Sequence, residues 1–275
     1  MTGIRSELID LVAVASEKFE IPPIQQLYMP EPRPSPDKDS EFGIVALEDN
    51  SAGLYYAWMG ESQKGMNQRY RVQDFIGKHP LQLVELYRSE DEADRSLGMA
   101  ALNAISQSVF RQSKCELPAA ADSLGELELK AGDHLGMVGF FPSLVRKLQQ
   151  RQVKVTVIEK KQHIIDAHTD LDISADLARL VDCNKVLSTA STLLNDSLDE
   201  VLEVCSSAEG IVLVGPTAGF LPDPLFKRGV KAIGGSQLVD VPLAIERLSH
   251  EQGLGNTARK YLLRASAYHS QLNPE

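Results

Sequence analysis

Two rhythms of apolar and polar residues run along this chain, and one gives way to the other near residue 115. The first part is mixed. Over 3–19, Leu8, Leu11, Val12, Val14 and Ala15 form a crude apolar stripe that predicts a helix. Pro22, Pro23, Pro30, Pro32, Pro34 and Pro36 then punctuate a segment unsuited to helix or central strand, so an extended connector is expected. Strand-like runs at 42–48 and 53–59 flank the turn signal Asp49-Asn50-Ser51 and predict a hairpin. Helices follow over 81–88 and 90–111. The second carries Leu97, Ala100, Ala101, Ala104, Ile105 and Val109 on its apolar side, with Ser89 as its expected N-cap.

Residues 112–131, with Pro118, Ala119, Ala120, Ala121 and Gly125, hold no strong periodicity and mark the expected division into domains of 1–115 and 116–275. Beyond it, strands and helices alternate. Strands are expected at 134–138, 153–158, 185–188, 210–214 and 231–234. Helices are expected from the end of the first strand to about 150, near 174–181, and at 195–205, 241–248 and 256–267. This alternation predicts βαβ units and a mostly parallel, Rossmann-like three-layer α/β domain after a small α+β one. Crossovers should be right-handed, and ligands should sit beyond the C-terminal strand ends.

Composition narrows the function classes. With 275 residues, 43% hydrophobic and 24% charged, the chain can build two cores without disulfide or metal staples. A net charge of −10 argues against nucleic acid as a partner, because phosphate binding needs a basic stripe. Cys115, Cys183 and Cys205 are odd in number and never spaced C-x-x-C. They point to reduced thiols in a cytoplasmic protein rather than to a disulfide framework or a structural zinc site. Glu7 and Asp10 interrupt the first apolar stretch, so no signal peptide is expected. No apolar run approaches the ~18 residues of a membrane span. A homodimer is the default assembly, with the helix at 90–111 as one candidate surface.

Four loops could carry chemistry. In G-M-V-G-F-F-P at 136–142, Gly136 and Gly139 permit a tight turn and close approach of backbone to a ligand, and Pro142 suits a first helical turn. The helix start behind it offers N–H groups to an anion. Glu159 lies twenty residues past Gly139, where a dinucleotide site would place an acid for ribose hydroxyls, but the third glycine of G-x-G-x-x-G is absent. A ligand cleft, a nucleotide or S-adenosylmethionine site and a purely structural turn all remain open there. S-T-A-S-T-L-L-N-D-S at 188–197 can hold a carboxylate, a phosphate or a metal-bound water, or cap a helix through Ser191, Thr192 or Asn195, and the two readings are compatible. G-P-T-A-G-F-L-P at 215–222 is a rigid binding loop or a plain turn, and Asp240 after Gly234 and Gly235 is more a cap than a ligand. His163, Asp166, His168, Asp170 and Asp172 crowd one loop after Glu159. That is a metal-ligand set on paper (Glu159, His163 and His168 foremost) and an ordinary solvated loop otherwise.

Taken in order, GxxGxFP, a strand ending in Glu, S-T-x-S-T-L-x-N, GP-T and G-x-x-x-I-G-G resemble the family named for putative heavy-metal chelation. The hairpin around Asp49 and R-S-L-G-M-A-A-L-N-A at 95–104 resemble its first domain, so the likeness covers roughly 40 to 265. The resemblance implies an enolase-N-terminal-like domain, an atypical Rossmann-like domain and a site in the cleft between them. Carried over by motif, that site comprises Ser96, Gly98, Asn103, Gly139, Phe140, Glu159, Thr189, Asn195, Gly215, Pro216 and Thr217. This chain departs from the family pattern at Ala190, where Gly is common, and at Asp196 and Ser197, where Gly then Thr are common.

Three functions are compatible with these readings. The first is binding of a divalent or heavy-metal ion, or of a metal-bound or anionic small ligand, through oxygen donors. The second is an enzyme acting on a small anionic metabolite with a nucleotide or S-adenosylmethionine, although no acid–base or nucleophile spacing supports it. The third is a structural or assembly protein with an empty cleft.

Overall fold

A computed structural model describes residues 3–31, 42–57, 62–120 and 127–272. Its first element, α1 (Ile4–Lys18), is the expected amphipathic helix and buries Ile4, Leu8, Ile9, Val12 and Ala15. The connector is not extended throughout. Ile24–Tyr28 forms β1, which pairs antiparallel with β2 (Phe42–Leu47), so Pro22 and Pro23 stand just outside a strand. The remaining connector prolines beyond Pro30 lie outside the described residues.

β2 and β3 (Ala52–Tyr56) form the expected hairpin, with Phe42 opposite Tyr56 and Ala46 opposite Ala52. Asn50 takes the left-handed conformation its turn requires, at φ 64°. The helices α2 (Ser62–Arg69) and α3 (Leu81–Val84) lead to α4 (Glu92–Gln112). The N-cap of α4 is Asp91, not Ser89. The Asp91 carboxylate accepts the N–H groups of Ala93 and Asp94, while Ser89 Oγ accepts the Asp91 N–H one step earlier.

Every residue of α4 from Ala93 to Phe110 is buried. Its many Ala, Gly and Ser residues explain this, since small side chains let neighbours approach from all sides. The helix is therefore covered by its own chain and offers no surface to a second copy, contrary to expectation. The hairpin rests on it. Val45, Leu47 and Tyr55 join the cluster containing α4, and Ile44, Ala46 and Leu54 on the other face meet Val241, Ala244 and Leu248. Those three belong to α9 (Val241–Ser249), a helix of the second half.

From residue 134 the chain builds a seven-stranded sheet ordered β10-β9-β8-β7-β4-β5-β6. Its strands are β4 (His134–Val138), β5 (Lys154–Ile158), β6 (Ile173–Ser174), β7 (Lys185–Thr189), β8 (Gly210–Val214), β9 (Ala232–Leu238) and β10 (Ala258–Arg264). All pairs are parallel except β9 with β10. Residues alternate strictly between faces. Leu135, Met137, Leu187, Val212 and Val214 form one apolar layer with α5 (Pro142–Gln150). Val138, Val186, Ile211 and Leu213 form the other with α7 (Leu198–Val204). A mixed α/β fold with a Rossmann-like parallel sheet and a small antiparallel one is thus in place. α6 (Gln162–Ala167), α8 (Asp223–Phe226) and β6 complete it; α6 and β6 fall in a stretch where the sequence pattern showed only polarity, and near 174–181 only a short 3-10 turn forms.

The expected terminal helix over 256–267 is instead strand β10. Tyr261, Leu262 and Leu263 are successive buried residues, and all seven positions pair with β9. A contiguous apolar run fits a strand covered on both faces as well as it fits a helix. The far side of β10 is also engaged: the Leu262 N–H donates to Pro118 O and the Ala120 N–H to Lys260 O. No helix among the described residues is long and apolar enough to cross a membrane.

Candidate interdomain cleft

The strand order places the site. β4 runs on to β5 and β6 on one side, and the chain then returns to β7 on the other, so the loops after β4 and β7 diverge at a switch point. Gly139 closes β4 at φ 87°, a conformation that favours glycine, and a Cβ there would stand 3.0 Å from Thr189 Cγ2. The glycine turn therefore lets the two loops meet. A cleft of about 920 Å³ opens above them.

Gly139, Phe140, Glu159, Thr189, Asn195, Gly215, Pro216 and Thr217 line this cleft, and so do His163 and His168 from the loop after Glu159. Glu159 ties two loops together. Its Oε2 accepts the Phe140 N–H at 3.1 Å, and its Oε1 accepts those of Lys160 and Lys161 at 2.9 and 3.0 Å. A carboxylate has about four acceptor sites, so room remains for one donor from a ligand. Phe140 and His168 pack ring against ring at 4.5 Å. The start of α5 abuts the cleft with Pro142 in its first turn and no side-chain cap.

The hydroxyl loop is partly self-satisfied. Thr189 Oγ1 accepts the Ser191 N–H at 3.3 Å, and Asn195 Oδ1 accepts both the N–H and the Oγ–H of Ser197, at 3.3 and 2.6 Å. The family departures fit this loop. Asp196 sits at φ 55°, where glycine is at ease and Asp is tolerated, and its carboxylate reaches Arg5 and Arg95 at 3.3 and 3.5 Å. The buried Ala190 places its methyl 3.5 Å from where a Cβ on Gly215 would be, an ordinary packing contact.

Four expected residues do not line the cleft. Ser96 Oγ donates to Glu92 O within its own helix. Gly98 is a packing position, since a Cβ would fall 2.3 Å from Tyr87 N. Gly136 lies inside β4 against Leu180, 2.7 Å from an added Cβ. Asn103 works from behind. Fully buried, it donates through Nδ2 to Leu54 O at 3.0 Å and to Thr217 O at 2.7 Å, joining hairpin to cleft loop.

The first half also supplies residues the motifs did not announce: Phe42, Tyr56 and Glu92. Lys161 Nζ donates to Tyr56 OH at 2.8 Å and lies 5.3 Å from that ring's centre, spanning the cleft. The hairpin pattern alone could have flagged Tyr56 and Phe42, as facing residues at its open end. Asp240, by contrast, is an N-cap, accepting the Leu243 N–H.

A family model described as "putative heavy-metal chelation" matches residues 122–265, and a second with the same description matches 41–106. The chain belongs to this family. An uncharacterized protein of Methanocaldococcus jannaschii is 31% identical over 174 residues, which span 62% of this chain and 64% of that protein, just under two thirds of its length. Among solved structures, family proteins of unknown function from Pyrococcus horikoshii and Desulfitobacterium hafniense resemble the chain with TM-scores of 0.68 and 0.70. Identities are 20% and 17%, over 94% of this chain and 99% and 98% of theirs, so the likeness is one of fold.

The family description raises heavy metal as cargo, and the donor set bears on how it could be carried. Among the described residues no three His, Cys, Asp or Glu side chains gather as a ligand set. Glu159, His163 and His168 share the cleft without forming one. No cysteine lines it. Burial pushes the Cys183 thiol up to about 11 and that of Cys205 to about 12, and both lie buried away from the cleft. These residues do not fit a bare soft ion held by protein ligands alone.

Proposed function

We propose that the cleft binds a small anionic organic ligand, and that a metal ion enters as the cargo of such a ligand rather than on protein ligands alone. The observation that carries this reading is the character of the walls. A cleft of about 920 Å³ is far larger than an ion needs and lies in the range of organic ligand sites. The start of α5 and the hydroxyls of Ser143, Thr189 and Ser191 favour an anion, as do Lys160 and Lys161. Phe42, Tyr56, Phe140, Phe141 and His168 offer apolar and aromatic surface to an organic frame.

We place the division of the chain at 115/116, so that the hairpin and α4 close one side of the cleft and the parallel sheet supplies the other. The two family matches, ending at 106 and starting at 122, support a division between them.

The test is thermal unfolding and calorimetric titration of the full chain against three sets: divalent metals alone, chelators alone, and the preformed complexes. Stabilisation by chelators or their complexes, weakened in Thr189→Val and Lys160→Gln, is expected, because a ligand bound only to the folded state raises its stability. Tight binding of bare metal ions with no response to any anionic organic ligand would overturn the reading.

A further inference from the structure

Asn195 stands at the corner of the cleft where the loop after β7 meets the start of α4. Its Oδ1 accepts the N–H and the Oγ–H of Ser197, and of the two amide atoms only the oxygen can accept from a backbone N–H. The amide is therefore fixed in one orientation. Both Nδ2 hydrogens point away from Ser197 and have no partner among the described residues. Asn195 is half-buried and lines the cleft, so a ligand can reach it. The hydroxyls beside it are engaged with one another: Thr192 Oγ1 donates to Thr189 O at 2.7 Å, and Thr189 Oγ1 to Ser191 Oγ at 3.3 Å. Asn195 thus offers an outside acceptor two donors in a set direction.

An acid shares this corner. Arg95 Nε donates to Leu194 O at 2.6 Å, its Nη1 lies 3.5 Å from Asp196 Oδ2, and its Nη2 lies 3.9 Å from Glu92 Oε1. One guanidinium thus holds Glu92 beside the segment that carries Asn195, and both residues line the cleft. At 3.9 Å Arg95 engages Glu92 only loosely, so acceptor sites remain on that carboxylate. The lysines of the cleft stand elsewhere. Lys160 and Lys161 follow β5, Asn195 follows β7, and β4 lies between these strands. Two interstrand spacings set the strand ends about 10 Å apart. Positive charge therefore lies on one side of the cleft, and the opposite corner pairs neutral amide donors with a carboxylate acceptor. A hydroxyl meets both demands at once, since it accepts from Asn195 and donates to Glu92. A carboxylate or phosphate in that corner would meet the charge of Glu92, and an aliphatic group would leave donors and acceptor unpaired.

We infer that the ligand of the cleft is a hydroxylated organic acid, with its carboxylate toward α5 and the lysines and a hydroxyl held between Asn195 Nδ2 and Glu92. The inference rests on the reading of the cleft as a site for a small organic anion, and it adds the hydroxyl as the group by which that anion is selected. Asn195 is then the specificity-determining residue.

The test is calorimetric titration of the full chain, without added metal, against acids paired by their hydroxyls: malate with succinate, citrate with tricarballylate, glucarate with adipate. At least one hydroxy acid should bind saturably and about tenfold or more tightly than its deoxy partner, because a site built to hydrogen-bond a hydroxyl rejects the analogue that lacks it. Asn195→Asp keeps an acceptor for both Ser197 bonds and replaces the amide donors with a second acceptor. Its added charge weakens every anion, so the readout is the ratio within a pair, which should fall to about twofold or less. Glu92→Gln, at a half-buried position, should narrow the ratio as well. Equal binding of paired acids by the parent protein would overturn the inference and leave the cleft an anion site. A ratio unchanged in Asn195→Asp would do the same. If no acid of the panel binds at about 10 mM while metal-free aminopolycarboxylate chelators do, the inference falls alone. If neither set binds, it falls together with the reading on which it rests.

Discussion

Asn103 Nδ2 donates to the carbonyl of Thr217 at 2.7 Å, while Thr217 Oγ1 accepts the Tyr56 N–H at 3.2 Å. Through these bonds a buried amide in α4 holds a cleft loop against the hairpin. Asn103→Asp would set an acceptor against two carbonyls, those of Leu54 and Thr217. We expect a loss of about 2–4 kcal/mol in urea denaturation, because buried acceptors left unpaired cost more than a hydrogen bond contributes. A variant within about 0.5 kcal/mol of the parent would exclude this bridging role.

Gly98→Ala should destabilise by about 3 kcal/mol even though Ala is the better helix former, since the new methyl would collide with the Tyr87 backbone at 2.3 Å. The measurement is chemical denaturation, and a stabilised variant would contradict it. A destabilised variant marks Gly98 as a packing residue rather than a ligand residue, which ligand titration of any folded variant can separate.

Asp196 combines a left-handed backbone with an ion pair to Arg5 and Arg95. Asp196→Gly should fall within about 1 kcal/mol of the parent, since relief of the backbone offsets a partly exposed pair. Asp196→Val should lose about 2–3 kcal/mol, as a β-branched residue is strained at positive φ. Equal stability of the two variants would show that φ is not decisive there.

The N-cap Asp91 gives a pH signature. Burial opposes its ionisation, but the Arg69 guanidinium and the N–H groups of Asp94 and Ala93 outweigh that and hold its carboxyl below the ordinary 3.8. A depressed carboxylate contributes stability that is complete above the unfolded value and is lost as pH falls through the folded one. Asp91→Ala should therefore cost about 1 kcal/mol at pH 7 and progressively less below about pH 4. A pH-independent difference between the two proteins would refute this.

Much of the architecture was legible in the chain because it depends on local alternation. β4, β5, β7 and β8 are short apolar runs closed by turn residues, and their positions follow from that pattern. β1 and β10 were not legible. Each is a strand by virtue of a distant partner, β2 for one and β9 for the other, and local pattern carries no information about partners. The cleft shows the same divide. Residues at the ends of parallel strands, such as Gly139, Glu159 and Thr189, are found by motif because topology fixes where strand ends converge. Tyr56 and Glu92 join them only through packing of the two halves. Ser96 and Gly98 show the converse: a motif can mark a place where chains must fit closely as well as one where a ligand sits.

The burial of α4 along eighteen consecutive positions bears on how the molecule comes apart. A single apolar cluster runs from Ile4 to Leu272 through that helix, so neither half keeps a complete core without the other. Calorimetry should then record one transition, with van't Hoff and calorimetric enthalpies equal, rather than two. In hydrogen exchange, the backbone amides of Ala100 to Val109 should open only with the whole molecule and report its global free energy. A chain built of two folds would in this sense have one cooperative unit, with its axis in the first half and most of its β-structure in the second.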